Sequence, residues 1–288
     1  YLLNSTTYRI KIQNIASGSS TSMIKITKSS LLKLEIVLPS LPEQCKIAEI
    51  LGAWDDAIST LEKLITAKRK LKQGLMQQLL TGKTRFKEFE GSEWETVKLS
   101  EIATIRRGAS PRPIKDTKWF AETGRGWVRI SDVTASDTYL IKTSQYLSRL
   151  GVEKSVKVDP GDLIMSICAT IGVPRIVGIP ACIHDGFVVF RDFEDKINKF
   201  FLYHYINLIA AKLENSGQPG TQKNLNTGIV GDIEIIMFPL SEQEKIASVL
   251  SAADAEISTL EKQLAAYKQQ KRGLMQQLLT GKTRVKIN

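Results

Sequence analysis

The stretch GLMQQLLTGKTR spans residues 74–85 and returns unchanged at residues 273–284. A shorter stretch, ISTLEK, also occurs twice, at residues 58–63 and 257–262. Both repeats have the same offset of 199 positions, so the chain carries two copies of one unit. A partner contacted by two equivalent units is commonly symmetric itself, and duplex DNA is the commonest partner of this kind.

Each repeat closes a segment with the apolar periodicity of a long helix. A 3,4 spacing runs through both copies, at Ile47, Leu51, Trp54, Ile58, Leu61, Ile65, Lys68, Lys72, Leu75 and Leu79, and at Ile246, Leu250, Ala253, Ile257, Leu260, Leu264, Tyr267, Lys271, Leu274 and Leu278. Five to six heptads of this pattern predict a coiled coil rather than a surface helix. We therefore predict two long helices, each about 60 Å in length, that pair in antiparallel orientation and act as a spacer.

The ends of these helices carry recognisable signals. Ser40 with Glu43 predicts a capping box at the first helix, and Ser241 begins a similar one at the second. Gly82 and Gly281 stand where a left-handed C-cap is expected.

The repeated stretch also predicts a surface for a partner. Apolar packing tolerates exchanges among apolar residues, so an identical surface of mixed polarity indicates one partner surface bound twice. A glycine inside a helix costs about 1 kcal/mol relative to alanine, and a close helix crossing or an inserted partner would explain the two that occur here. The candidate partner-binding residues are Gly74, Met76, Gln77, Gly273, Met275 and Gln276.

Composition narrows the class of protein. The chain has 288 residues, 42% of them hydrophobic, and no apolar run of membrane length. Three scattered cysteines, Cys45, Cys168 and Cys182, fit a reducing cytoplasm. With two histidines and no Cys/His cluster, a structural metal site is not expected. No phosphate-binding loop, dinucleotide loop or methyltransferase motif occurs, and His184-Asp185 is interpreted as a pair at a strand end.

The net charge of +10 is unevenly distributed. Residues 106–129 carry seven basic and two acidic side chains, and residues 1–42 carry five basic and one acidic. The long helices are nearly neutral. This distribution is typical of a protein that binds a polyanion and contains a structural spacer.

Residues 94–240 read as a domain of mixed α and β structure, which makes the fold class α+β. Strands are predicted at Trp127–Ile130, Val156–Val158, Leu163–Ile167 and Ile233–Phe238, and a helix at Phe200–Leu213. Basic and amide side chains of this domain are suited to phosphates and to base edges. The candidate DNA-binding residues are Arg106, Arg107, Ser110, Arg112, Lys115, Lys118, Arg125, Arg129, Gln218, Thr221, Gln222, Lys223 and Asn224.

These features together carry a resemblance to a known family. A Leu-x-Glu-Gln-x-Lys-Ile start, at residues 41–47 and 240–246, opens each long helix, and GLMQQLLTG closes it. A variable segment with Pro-Gly-Asp-Leu at residues 160–163 and Gly-Thr-Gln-Lys-Asn at residues 220–224 precedes the second helix. The chain resembles the specificity (S) subunit of Type I restriction–modification systems over essentially its whole length.

The resemblance implies a division into five parts. These are the end of a first target recognition domain (1–40), a spacer helix (41–87), a linker (88–93), a second recognition domain (94–240) and a second spacer helix (241–288). The first copy has no counterpart of residues 94–199, so we expect the natural N-terminus to lie upstream of Tyr1. A first unit that is naturally half as long is the alternative.

The resemblance further implies a function without catalysis. Each recognition domain would read one half of a bipartite DNA site, and the helices would set the spacing and bind modification (methyltransferase) subunits, with restriction subunits joining through them. The chain itself would need no cofactor, since S-adenosylmethionine, ATP and Mg²⁺ would belong to the partners. Two alternatives remain open: the specificity region of a fused restriction–modification enzyme, and a coiled-coil adaptor for a protein complex.

Overall fold

The computed structural model describes residues 1–16, 25–215 and 225–286. The chain divides into two compact units, one formed by Tyr1–Arg69 with Ile257–Asn288 and the other by Lys70–Glu256. The α-helices are α1 (Thr6–Ile15), α2 (Lys28–Leu32), α3 (Leu41–Leu79), α4 (Leu99–Ile102), α5 (Ile130–Thr134), α6 (Arg149–Glu153), α7 (Lys199–Asn215), α8 (Thr227–Gly231) and α9 (Leu240–Leu278). The strands are β1 (Glu95–Lys98), β2 (Thr104–Arg107), β3 (Phe120–Ala121), β4 (Arg125–Val128), β5 (Tyr139–Leu140), β6 (Gln145–Leu147), β7 (Val156–Val158), β8 (Leu163–Ser166), β9 (Pro174–Val177), β10 (Ala181–Ile183), β11 (Phe187–Arg191) and β12 (Glu234–Met237).

The first unit is built on the pairing of α3 with α9. Three ion pairs join the helices, and they are Asp55–Lys271, Glu62–Lys268 and Arg69–Glu261. Residue numbers rise along α3 as they fall along α9, so the helices run antiparallel, as predicted. The rings of Trp54 and Tyr267 pack edge to face with centroids 5.5 Å apart. The predicted seam positions of this unit are buried or half-buried.

The second unit contains the domain of mixed α and β structure. One five-stranded sheet has the order β3-β6-β4-β10-β7, another has the order β2-β11-β8-β9-β5, and β1 pairs antiparallel with β12. A core between the two larger sheets includes Val128, Ile183 and Phe187. Strands β8 and β11 are buried along almost their whole length, so they read as short continuous apolar runs.

The larger core of the second unit packs the sheet that contains β11 against helices α3, α7 and α9. It contains Phe190 of β11, Phe201 of α7, Leu80 directly after α3, and Leu250 of α9. The side chains of Leu80, Phe190, Phe201 and Leu250 are completely buried. The last turns of α3 and the first turns of α9 are therefore part of the same hydrophobic core as the sheet.

The helix ends differ from the sequence prediction in one respect. Gly82 and Gly281 adopt φ values of +70° and +71°, which confirms the two left-handed C-caps. The capping boxes are wrong. The carboxylate of Glu43 accepts hydrogen bonds from Arg284 and from the Val285 N–H instead, and Ser241 lies inside α9, which begins at Leu240.

Most predicted strands and helices of the second unit are present, with small shifts at their ends. The strand predicted at Trp127–Ile130 ends at Val128 because Ile130 begins α5. There the carboxylate of Asp132 accepts the Arg129 N–H at 2.9 Å, which turns the chain into the helix.

Candidate nucleic-acid interface

The basic segment, residues 106–129, begins in strand β2, and the basic loop that follows this strand packs at once against the turn between β10 and β11. The N–H of Gly108 donates to the carbonyl of Phe187 at 2.9 Å. A Cβ atom at position 108 would lie 2.1 Å from the carbonyl oxygen of His184. Only glycine permits this approach, so the start of the loop is fixed against the turn.

Asp185 of that turn binds three residues of the segment. Its carboxylate accepts a hydrogen bond from the Ser110 hydroxyl at 2.5 Å and another from the Arg112 guanidinium at 3.2 Å. Its main-chain carbonyl accepts a bond from Nε of Arg107 at 2.8 Å. The hydrogen bond from Ser110 lowers the pKa of the Asp185 carboxyl below its ordinary value, so the group is ionised at neutral pH.

The neighbouring His184 is mostly buried and neutral. Burial lowers the pKa of its imidazole from 6.5 to about 4. The ring packs against Phe187 with centroids 4.8 Å apart and against Trp127 at 5.7 Å. Nδ1 accepts the Gly186 N–H at 2.9 Å, so the single proton of the neutral ring is on Nε2.

A cavity of about 400 Å³ opens beside Asp185. Its wall combines charged, hydroxyl and aromatic side chains, among them Ser110, Arg112, Trp127, Arg129, Ser131 and His184. The indole Nε1 of Trp127 is buried and has no hydrogen-bond partner among the residues that the structure describes. Most polar groups of the cavity wall are therefore hydrogen-bond donors, and Asp185 supplies the acceptor.

Several candidate DNA-binding residues present free cationic groups. Arg106, Lys115 and Arg129 are exposed. In the described part of the chain, their head groups make no hydrogen bond or ion pair. Arg112 is also exposed, but Asp185 restrains it. Arg106, Lys115 and Arg129 can therefore bind an anion without breaking a contact within the described chain.

Two other candidates are already bound within the chain. The Arg125 guanidinium is half-buried, donates to the carbonyl of Val158 at 2.8 Å and pairs with the carboxylate of Asp159. Lys118 pairs with Asp116 at 2.8 Å and lies over the ring of Trp119. A DNA contact by Arg125 or Lys118 stays a prediction that must compete with these intramolecular partners. The candidates Gln218, Thr221, Gln222, Lys223 and Asn224 lie outside the described residues.

Sequence reasoning missed the role of Asp185. The His184-Asp185 pair does follow a strand, but Asp185 binds residues that lie more than seventy positions earlier in the chain. No local signal marks such a contact. The cavity wall also includes Ser131, which was not predicted and which follows the first residue of α5.

The repeated stretch GLMQQLLTGKTR presents similar surfaces in its two copies. Gln77 and Gln276 are exposed, and a Cβ atom at Gly74 or at Gly273 would meet no atom of the described residues within 4 Å. The two glycines are thus not explained by a close helix crossing within the described chain. Met76 is buried in the core of its unit and Met275 is half-buried against an apolar cluster, so we leave both out of the exposed surface.

The described residues contain neither a metal-binding cluster nor a membrane-spanning helix. No group of three or more His, Cys, Asp or Glu side chains there could bind a metal ion. No helix in this part of the protein is long and apolar enough to cross a membrane.

A family model described as the Type I restriction modification DNA specificity domain matches residues 1–71 and 91–267. This covers most of the chain. The chain belongs to this family. The domain of mixed α and β structure with its basic loop and the paired long helices is accordingly the architecture of a Type I DNA specificity domain.

Relatives of the specificity family with curated names come from Methanocaldococcus jannaschii. The chain is 31% identical over 272 residues to a candidate specificity subunit of the type I restriction enzyme MjaX, covering 91% of this chain and 62% of that protein. It is 29% identical over 289 residues to the type I restriction enzyme MjaVIII specificity subunit, covering 92% of this chain and 66% of the relative. The chain thus spans somewhat less than two thirds of the length of these relatives.

Solved structures show the same fold. The Type-I restriction-modification system S subunit from M. genitalium matches with a TM-score of 0.64 and 18% identity, covering 97% of this chain and 70% of that one. The HsdS subunit from Thermoanaerobacter tengcongensis matches with a TM-score of 0.55 and 18% identity, covering 95% and 67%. Both likenesses support the α+β fold with long helices.

Proposed function

We propose that this protein gives a Type I restriction–modification complex its DNA sequence specificity. In this proposal the recognition domain, residues 94–240, reads one half of a bipartite duplex site, and residues 1–40 belong to the domain that reads the other half. The observation that carries the proposal is the exposed basic loop anchored on Asp185, in a chain of the DNA specificity family. Free guanidinium and ammonium groups such as Arg106, Lys115 and Arg129 would bind phosphates and base edges.

The paired helices have a second role in this proposal. They set the distance between the two half-sites, and each copy of the repeated stretch docks a modification (methyltransferase) subunit, one at Gly74 and Gln77 and the other at Gly273 and Gln276. Two glycines with open space above them support this role, because a partner helix can approach the backbone closely only where no Cβ atom intervenes. Restriction subunits would join through the modification subunits.

Catalysis belongs to the partners in this proposal. S-adenosylmethionine, ATP and Mg²⁺ would be bound by the modification and restriction subunits, and this chain would act as a non-catalytic subunit. The three cysteines of the chain are free thiols, which favours a reducing compartment, and we infer a cytoplasmic location from them.

The decisive experiment maps methylated adenines. The full-length protein is combined with its modification subunits, S-adenosylmethionine and a plasmid library of random sequence. We expect methylation at a single two-part motif with a fixed gap. Exchanging residues 94–240 for those of another family member should change one half of the motif and leave the other half and the gap intact.

Two results would contradict the proposal in different ways. Methylation without sequence preference, while the modification subunits still bind, would reduce the protein to a coiled-coil adaptor. Methylation by the full-length protein alone would indicate a fused restriction–modification enzyme.

A further inference from the structure

Asp185 connects the basic loop to the rigid part of the recognition domain. Its two carboxylate oxygens bind Ser110 at 2.5 Å and Arg112 at 3.2 Å, and its main-chain carbonyl binds Arg107 at 2.8 Å. One residue of the β10–β11 turn therefore contacts the last residue of β2 and two residues of the loop that follows it, all of them distant in sequence.

The turn that carries Asp185 has little freedom to move. A Cβ atom at Gly186 would lie 2.4 Å from the Cys168 sulfur and 2.4 Å from the His184 ring. On the other side, Gly108 packs directly against the main chain of His184. The position of the Asp185 carboxylate relative to the loop is thus set by backbone packing.

This anchoring orients Arg112. Its side chain is 72% exposed, and a guanidinium group so exposed would otherwise sample many rotamers. The bond to Asp185 occupies one N–H, and the remaining donors of the planar group have no partner in the described part of the chain. A planar pair of N–H donors matches the O6 and N7 acceptors of guanine in the major groove.

The rest of the cavity favours the same base pair. Arg129 and Ser131 add donors, and the neutral His184 carries its proton on Nε2. Among the described residues of the cavity wall, Asp185 is the one carboxylate. It would repel a phosphate, but it can accept a hydrogen bond from the N4 amino group of the cytosine paired with that guanine.

We propose that Asp185 is a positioning residue that orients Arg112 to read a guanine edge in the major groove of the DNA half-site. This inference rests on the proposed function, since it requires that residues 94–240 face duplex DNA. It identifies the base read by one side chain and assigns a role to Asp185, which does not itself need to contact the guanine.

The test compares Asp185→Asn and Arg112→Lys with the unchanged protein in the complete complex with modification subunits. Methylation rates are measured on duplexes that differ from the mapped site by one base pair at a time. We expect both variants to lose preference at a single G·C pair of one half-site by roughly ten- to a hundred-fold, because a bidentate contact discriminates by about that factor. Preferences at the other positions should remain as in the unchanged protein.

Matched controls come from surface pairs of the same domain. Arg149→Lys and Asp232→Asn remove comparable exposed groups, which pair with Glu153 and Lys98 respectively. Neither control should change the motif. Ser110→Ala removes only the hydroxyl bonded to Asp185, so it should relax the same G·C position partially, and it keeps the test valid if Asp185→Asn does not fold.

Each opposing result has a distinct meaning. Uniform weakening at all sequences would make Arg112 a phosphate contact and overturn the proposal. An unchanged motif in both variants, or a half-site without guanine, would also overturn it. Failure of the proposed function is distinguishable, because the unchanged protein would then show no sequence preference at all.

Discussion

Arg85 and Glu242 form an ion pair between the end of one copy of the repeat and the start of the other. Nε of Arg85 donates to Oε1 of Glu242 at 3.0 Å. The equivalent pair, displaced by 199 positions in both members, joins Arg284 to Glu43, with Nε and Oε1 2.7 Å apart. Each pair lies within one of the two compact units. The repeated arginine of GLMQQLLTGKTR thus has a structural partner in both copies.

Removing Glu242 should destabilise the second unit. Its side chain is 1% exposed and that of Arg85 is 12% exposed, so Glu242→Ala leaves a cation with little solvent around it. We expect a loss of roughly 3–5 kcal/mol in the free energy of unfolding, measured by thermal or denaturant unfolding. The control Asp232→Ala, which breaks an exposed pair with Lys98, should have a much smaller effect because solvent screens that pair. Equal effects of the two variants would show that burial does not determine the contribution.

The lysines in the helix seam should couple to the aspartates opposite them. Lys72 pairs with Asp254, and at an offset of 199 Lys271 pairs with Asp55. Lys72→Leu alone leaves a half-buried carboxylate, so we expect it to be clearly destabilising, whereas Lys72→Leu with Asp254→Leu should be within about 1 kcal/mol of the unchanged protein. A double-mutant cycle measures this coupling. If the effects of the Lys72 and Asp254 substitutions on the free energy of unfolding were strictly additive, Lys72 would extend to solvent without interacting with Asp254.

Replacing Gly74 or Gly273 by alanine should raise the stability of the protein but lower its affinity for modification subunits. Gly74→Ala and Gly273→Ala should each stabilise their helix by about 1 kcal/mol, because alanine has the higher helix propensity and the new Cβ meets open space. The same substitutions should weaken binding of modification subunits, measured by calorimetry or sedimentation.

A third glycine provides the matched control for that experiment. Gly52 lies inside α3 but outside the repeated stretch, and a Cβ there would be 3.9 Å from the Tyr1 hydroxyl. Gly52→Ala should raise stability without changing partner affinity. If Gly74→Ala and Gly273→Ala left partner affinity unchanged as well, the docking surface would have to lie elsewhere.

Substituting two arginines of the basic segment should affect different properties, namely DNA binding for Arg129 and protein stability for Arg125. Arg129→Ala should leave the fold intact and reduce the slope of log K against log salt for DNA binding by about 1, as expected for one lost phosphate contact. Arg125→Ala removes hydrogen bonds to the carbonyls of Val158 and Ala181 and should cost about 1–3 kcal/mol of stability. Unfolding curves and salt titrations of both variants test this contrast. A stable Arg125→Ala protein with a reduced salt slope would instead assign Arg125 to DNA.

Stability should fall as the pH is lowered from about 6.5 towards 4. Burial lowers the pKa of His184 from 6.5 to about 4 and that of His204 to about 3, so the unfolded chain takes up protons before the folded protein does. Linkage then predicts a loss of about 2 kcal/mol for each histidine at pH 5 relative to neutral pH. Thermal unfolding of His184→Gln and His204→Gln across this range should show a weaker pH dependence. An unchanged pH profile in both variants would mean that other groups control acid stability.

The local sequence determined the elements of this protein well. The 3,4 spacing of apolar residues identified the seam of α3 and α9, because each such residue lies on one helix face whatever its partner. The glycines at 82 and 281 marked the helix ends, because only a residue free to adopt positive φ completes that cap. The offset of 199 showed that the two helices are copies.

Only the tertiary structure decided which side chains meet. Glu43 stands in a capping-box position by sequence, yet it binds Arg284, 241 positions away. The sequence places Asp185 at the end of a strand, yet in the structure its carboxylate binds Ser110 and Arg112 of a distant loop. The spacing of apolar residues in the sequence predicts which residues face the core, but it does not predict which residues they contact there. Packing between distant segments determines which group pairs with a buried charge. The local sequence of either segment alone therefore does not predict the pair.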